Sequence, residues 1–124
     1  MFRVEGTAIH LTRGDTMKLN LKLKVGIKEY VPKEGDMIYF SLKRAKLDSE
    51  NANFIDEEPL VTKAINPIET TVLTLDPADT SGLKFGTYMY DMRIEMYDGT
   101  VDTFLVDHFY LEQEVHNGTN SSTI

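Results

Sequence analysis

Met17, Leu19, Leu21, Leu23 and Val25 alternate with Lys18, Asn20, Lys22 and Lys24. A period of two puts successive side chains on opposite faces of extended backbone, so the segment predicts a strand with one face on a core and a lysine-rich face in water. Glu34-Gly35-Asp36 reads as a turn, and Ile38, Phe40 and Leu42 then mark one face of a second strand. Residues 45–59 read as a long polar connection ending at Pro59. Leu60–Ile65 and Thr70–Leu75 read as short strands parted by a turn at Asn66-Pro67. Asp76-Pro77-Ala78-Asp79-Thr80 reads as one helical turn, with an Asp cap and proline at the first helical position. Tyr88, Tyr90, Met92, Ile94 and Met96 then alternate with Met89, Asp91, Arg93 and Glu95 up to Asp98-Gly99, and the pattern resumes at Val101, Thr103 and Leu105. Asp-Gly between alternating runs predicts a two-residue hairpin, because a type I′ turn needs positive φ at both central positions.

About seven short strands with turns at this spacing predict an all-β fold, an immunoglobulin-like antiparallel β-sandwich. Residues 1–116 read as one domain, and residues 117–124, polar and turn-rich, as a flexible tail. Leu83, Gly86 and Tyr88 stand where such sandwiches place a tyrosine corner, the hydroxyl tying the strand entry to backbone upstream. A two-residue turn sets Met96 against Val101, Ile94 against Thr103 and Met92 against Leu105, all on the core side. It also sets Glu95 opposite Asp102, a like-charge pair that invites a cation or a partner's base. The opposite parity sends Met89, Tyr97, Phe104, Val106 and Tyr110 outward, joined by Met37 and Tyr39 if the Ile38 strand is their neighbour. Such a methionine and aromatic patch is expected to be an interface. Phe54 and Ile55, in the polar connection, are expected to form either a lid on the sandwich or a hook for a neighbour.

The 124 residues suffice for one core, and with no cysteine the fold cannot depend on disulfides or cysteine-ligated zinc. The opening Met1-Phe2-Arg3-Val4-Glu5-Gly6 lacks the apolar run of a secretory signal, so the protein is expected to be made in, and remain in, a cytoplasm. A net charge of −7 weighs against nucleic acid. No stretch reads as a membrane span. Residues 1–50 hold 10 of the 13 basic and 7 of the 20 acidic residues, so the two parts of the chain differ in sign. In a sandwich that permits a basic face (Lys18, Lys22, Lys24) opposite an acidic one (Asp91, Glu95, Asp102).

Candidate chemistry is sparse. Arg13-Gly14-Asp15 has the composition of an adhesion tripeptide, but Gly-Asp is also a natural turn before a strand. Asn117 and Asn120 head glycosylation sequons inside the polar tail. The segment from Asp48 to Pro59 fails the calcium-loop pattern, since Asn53 stands where the turn glycine belongs and Pro59 where the bidentate glutamate belongs. His10, His108 and His116 lie far apart, and the sequence offers no reason for the fold to gather them. No catalytic residue, metal site, cofactor or small-molecule substrate is therefore expected. The rival class is a carbohydrate- or ligand-binding sandwich, which usually needs exposed Trp or Tyr platforms, and the chain has no Trp.

Leu11-Thr12-Arg13-Gly14-Asp15-Thr16, Pro32-x-Glu34-Gly35-Asp36, Leu75-x-Pro77-x-Asp79-Thr80-x-Gly82-Leu83 and Gly86-x-Tyr88-x-Tyr90-Asp91 follow in that order, with Asp98-Gly99 and Thr103 beyond. This series, over roughly residues 8–115, resembles the immunoglobulin-like domain at the N-terminus of upper baseplate proteins in lactococcal-type phages and in related stand-alone virion proteins. The resemblance implies a non-enzymatic virion role in tail, baseplate or head decoration. It implies partners that are other virion proteins or further copies of this chain, and a location in the host cytoplasm during assembly and then in the particle. Baseplate members continue into a coiled coil or receptor-binding region that this chain lacks, so a stand-alone accessory protein is the expectation.

Overall fold

The computed structural model describes residues 3–25, 27–47, 52–54, 59–113 and 119–123. The chain is an all-β sandwich. One sheet contains β1 (Arg3–Glu5), β2 (Ala8–Thr12), β11 (Val101–Glu112), β10 (Gly86–Glu95), β6 (Met37–Leu47) and β7 (Ala52–Phe54), in that order across the sheet. β8 (Val61–Ile65) also pairs with β6. The facing sheet is β12 (Thr119–Thr123), β3 (Thr16–Asn20) and β9 (Val72–Leu75), and β4 (Lys24–Val25) with β5 (Lys28–Glu29) forms a small ribbon. Placing β10 between β11 and β6, and β3 with β9 opposite them, is the strand arrangement of an immunoglobulin-like sandwich.

The sheets are mixed rather than purely antiparallel. β2 runs parallel to β11, and β12 parallel to β3. Thr119–Thr123, read from sequence as tail, is thus a paired strand. Its polar sequence hid it, because a strand at the edge of a sheet need not show the apolar alternation of a buried one.

The core forms where the alternating positions of the two sheets meet: Met17, Leu19, Leu73 and Leu75 from one, Ile9, Leu11, Ile38, Phe40, Leu42, Tyr90, Met92, Ile94, Phe109 and Leu111 from the other. Phe40 and Tyr90 stack at 5.7 Å. The nine-residue run 17–25 divides. Its ladder with β9 ends at Asn20↔Val72, Leu21 N still donates to Thr71 O at 2.9 Å, and pairing resumes only at Lys24. Leu21 stays buried and Leu23 packs on the core, so the alternation reports burial rather than hydrogen bonding. The expected connection 45–59 also differs. β6 continues to Leu47 and turns back as β7, with Ala45↔Phe54 in register.

The turn residues behave as their chemistry requires. Asp76 N donates to Asp79 Oδ2 at 2.7 Å, capping the single turn α1 (Pro77–Thr80). Asn66 Oδ1 accepts from Ile68 N between β8 and β9. Tyr88, at the start of β10, donates its hydroxyl to Lys84 O at 2.6 Å, which is the tyrosine corner. Burial pushes the Tyr88 hydroxyl pKa upward, so the bond persists through neutral pH. Tyr88→Phe removes one partly buried hydrogen bond and is expected to cost about 1 kcal/mol. Urea unfolding should show that loss with an unchanged slope and an unchanged far-ultraviolet spectrum.

Candidate interaction site

Asp36 determines the geometry of the β10–β11 hairpin. Its carboxylate is buried, 1% exposed, in the turn before β6. It accepts from Tyr30 OH at 2.6 Å, Lys33 N at 2.9 Å and Tyr97 N at 2.8 Å. A two-residue turn at Asp98-Gly99 would direct Tyr97 N–H across to Thr100. Instead the carboxylate takes that donor. Met96 N donates to Thr100 O at 2.7 Å, and Gly99, at φ +89°, donates to Met96 O at 2.9 Å. The loop is therefore the three residues Tyr97-Asp98-Gly99, a type I turn closed by a glycine bulge, and not the two-residue turn expected.

That extra residue shifts the register. Glu95 faces Val101, Ile94 faces Asp102 and Arg93 faces Thr103, so neither Met96–Val101, Ile94–Thr103 nor Glu95–Asp102 forms. The ladder then slips between Met92 and Arg93, leaving Phe104 as the bulged residue, and Met92 returns to its expected partner Leu105. One irregularity cancels the other. Beyond the bulge the expected parity holds. Before it, Asp102 shares the inward face of Ile94 instead of an acidic outer face.

The outer face of the large sheet carries most of the residues expected there. Met37 and Tyr39 lie half-buried on β6, which is the neighbour of β10, and Arg93 stands over the Tyr39 ring at 5.0 Å. Val106 is 51% exposed, and Tyr110 is half-buried. Two expectations fail. Met89 points outward but is only 7% exposed, seated between its cross-strand neighbours Lys43 and His108. Phe104, displaced by the bulge and 37% exposed, lines the mouth of the sandwich with Leu21 and Lys22. Tyr97 is exposed on the turn, packed by its Cβ against Gly35 with the Lys33 ammonium 5.1 Å from its ring. Phe54 contributes backbone to β7, and Ile55 lies outside the described residues.

The face is less acidic than expected. Glu95 pairs with Arg93 at 3.4 Å, and Lys43 adds a positive charge opposite Met89. Asp91 Oδ1 is buried without a hydrogen-bond donor among the described residues. Sequence gave no sign of the most organised feature of this face. Parallel β2 brings His10 against Tyr110, with ring centroids 4.6 Å apart, and His108 stacks on the same tyrosine at 5.9 Å. His10 Nδ1 lies 3.2 Å from Glu112 Oε1, and His108 Nδ1 lies 3.4 Å from Asp107 Oδ1. Asp107 also accepts from His108 N and from the Thr7 hydroxyl; burial raises its pKa, but these bonds outweigh burial and the net shift is downward. Only a long-range parallel pairing unites His10 with His108, so no local spacing could have revealed the stack.

The Arg13-Gly14-Asp15 tripeptide is structural. Gly14, at φ +85°, donates to Thr80 Oγ1 at 3.1 Å, Arg13 donates to Leu83 O and lies over the Phe85 ring, and Asp15 is buried. Among the described residues, no group of three or more His, Asp or Glu could hold a metal ion, and no helix is long and apolar enough to cross a membrane. No family model matches the chain, and no curated protein matches it either.

Asp36 yields a prediction on pH. Burial opposes its charge, but the bonds from Tyr30, Lys33 and Tyr97 outweigh that and hold its pKa below the usual value of 3.8. Its contribution to stability is therefore present above that value and is lost as pH falls through the lower folded value. At the other extreme, the Asp36 bond and burial raise Tyr30 from 10 to about 12, so its contribution holds below pH 10 and is lost as pH rises towards 12. Asp36→Ala should lower stability by about 2–3 kcal/mol at neutral pH, since it leaves two N–H donors unpaired. It should also flatten the acid limb of melting temperature against pH. A variant that melts like the wild type at neutral pH would show that Asp36 does not hold the hairpin.

Proposed function

We infer that this protein is a non-enzymatic structural or accessory protein of a phage or prophage virion, in the tail, baseplate or head decoration. It acts through protein–protein contacts made by the outer face of the large sheet. The observation that carries the reading is the make-up of that face. Met37, Tyr39 and Val106 share that face with Arg93 and the His10–Tyr110–His108 stack, and interfaces are enriched in this combination of methionine, tyrosine and arginine. At its centre Asp91 keeps a buried oxygen without a donor among the described residues, a concession of stability of the kind found at functional positions. The immunoglobulin-like strand order and tyrosine corner support the same reading, because they fit the virion domain that the segments from Leu11 to Thr103 resemble.

Particles induced from the strain that encodes the protein provide the test. An antibody to the protein should label purified particles. A Val106→Asp, Tyr110→Ser double variant should fold, by its circular dichroism, yet be depleted from particles by at least about tenfold, the effect of losing central interface contacts. Particles without the protein, together with a melting temperature that rises in the presence of a specific sugar, would overturn this reading in favour of a carbohydrate-binding module.

A further inference from the structure

The sandwich is open along one corner. β2 covers the outer edge of β11 only at Phe109–Glu112, so the edge from Val101 to Val106 has no strand beside it among the described residues. Between that edge and the stretch from Leu21 to Lys24 lies a cleft of about 210 Å³. Leu23, Tyr30, Ile94, Met96 and Phe104 form its apolar wall. Lys22 and Lys24 stand exposed on one rim and Asp102 on the other, and neither lysine pairs with a carboxylate among the described residues. The cleft therefore suits an apolar side chain followed by negative charge on the lysine side, with like charge rejected at Asp102.

One segment of this chain has that chemistry. Phe54-Ile55 is followed by Asp56-Glu57-Glu58, two apolar residues and then three carboxylates. It cannot reach the cleft of its own molecule. Phe54 is paired to β6 through Ala45, and Leu60 N is bonded to Leu42 O, so both ends of the segment are anchored on β6. The five residues between those ends reach out and back by roughly 10 Å at most. The cleft lies beyond β10 and β11, and at the level of Ile38, which pairs with Ile94, seven residues along β6 from Ala45. At about 3.3 Å per residue that lengthwise offset alone is about 23 Å.

We propose that the Phe54–Glu58 segment of a second copy docks in the cleft between β11 and Leu21–Lys24, with Phe54 and Ile55 against its apolar wall and Asp56, Glu57 and Glu58 facing Lys22 and Lys24. β7, which leads into the segment, and the cleft beside β11 lie on opposite sides of the β10–β6 pair, so the contact is head-to-tail and propagates into a ring or a stack instead of closing as a two-fold dimer. It does not depend on the virion reading and leaves the outer face of the large sheet free.

Sedimentation velocity over a range of protein and salt concentrations tests this. The wild type should assemble beyond dimer as concentration rises, and less so at high salt, where exposed charges are screened. Lys22→Glu with Lys24→Glu, and separately Asp56→Lys with Glu57→Lys and Glu58→Lys, should each weaken assembly by on the order of 100-fold. Mixing the two variants should restore it, because each then offers the charge the other needs; misfolding would not be rescued by mixing. Val106→Asp with Tyr110→Ser should leave this association unchanged, which separates its failure from failure of the outer-face reading. A wild type that stays monomeric at high concentration and low salt, or variants that fail to re-associate on mixing, would overturn the proposal.

Discussion

A single buried carboxylate sets the geometry on which much of this surface depends. Asp36 gathers the Tyr30 hydroxyl, the Lys33 amide and the Tyr97 amide, and in doing so takes the donor that a two-residue turn would use. A buried charge is tolerable only when hydrogen bonds replace its lost hydration, and three donors, two from the preceding loop and one from the distant hairpin, do so here. The lengthened turn, the shifted register and the bulge at Phe104 follow from that diversion. So do the placement of Asp102 and Phe104 at the mouth of the sandwich and the character of the cleft between them.

The same logic of satisfied donors recurs at several connections between strands. The Tyr88 hydroxyl holds Lys84 O before β10, and the Tyr90 hydroxyl, also raised in pKa by burial and by the nearby Asp107 charge, holds Thr7 O before β2. Thr80 meets Gly14 in the turn between β2 and β3. Lys63 on β8 pairs at 2.8 Å with Asp79 of the single helical turn. The apolar core supplies the driving force, being roughly proportional to the area removed from water. Burial alone is non-directional, and these side-chain ties decide how the connections cross from one sheet to the other.

The two surfaces that emerge have different physical character. The outer face of the large sheet is a mosaic, with rings stacked on rings and guanidinium on phenol, and with charges mostly paired within the molecule. Surfaces of this kind gain by shape and stacking, and salt affects them little. The mouth beside β11 combines an apolar cleft with two lysines that pair with no carboxylate among the described residues, so contacts there gain from long-range attraction and fade with ionic strength.

Alternation along residues 17–25, 38–42 and 86–96 determined by itself that the chain is all β and supplied much of its core, because a period of two leaves only one apolar face to bury. Val101 and Thr103, expected on the core side, are exposed, and Ile9, Leu11, Phe109 and Leu111 join the core unannounced. The proline-capped turn at Asp76 and the tyrosine corner were equally legible, since each rests on residues within about four positions of one another. Tertiary structure decided the rest. Asp-Gly predicted a two-residue turn, and a carboxylate sixty-one positions earlier overruled it. Met89 and Phe104 had outward parity, yet cross-strand neighbours bury the first and a bulge moves the second. His10 and His108 meet on Tyr110 only because β2 runs parallel to β11. Periodicity fixes which way a side chain points from its own strand. It carries no information on which distant strand lies alongside, or on which distant donor or acceptor competes for the backbone.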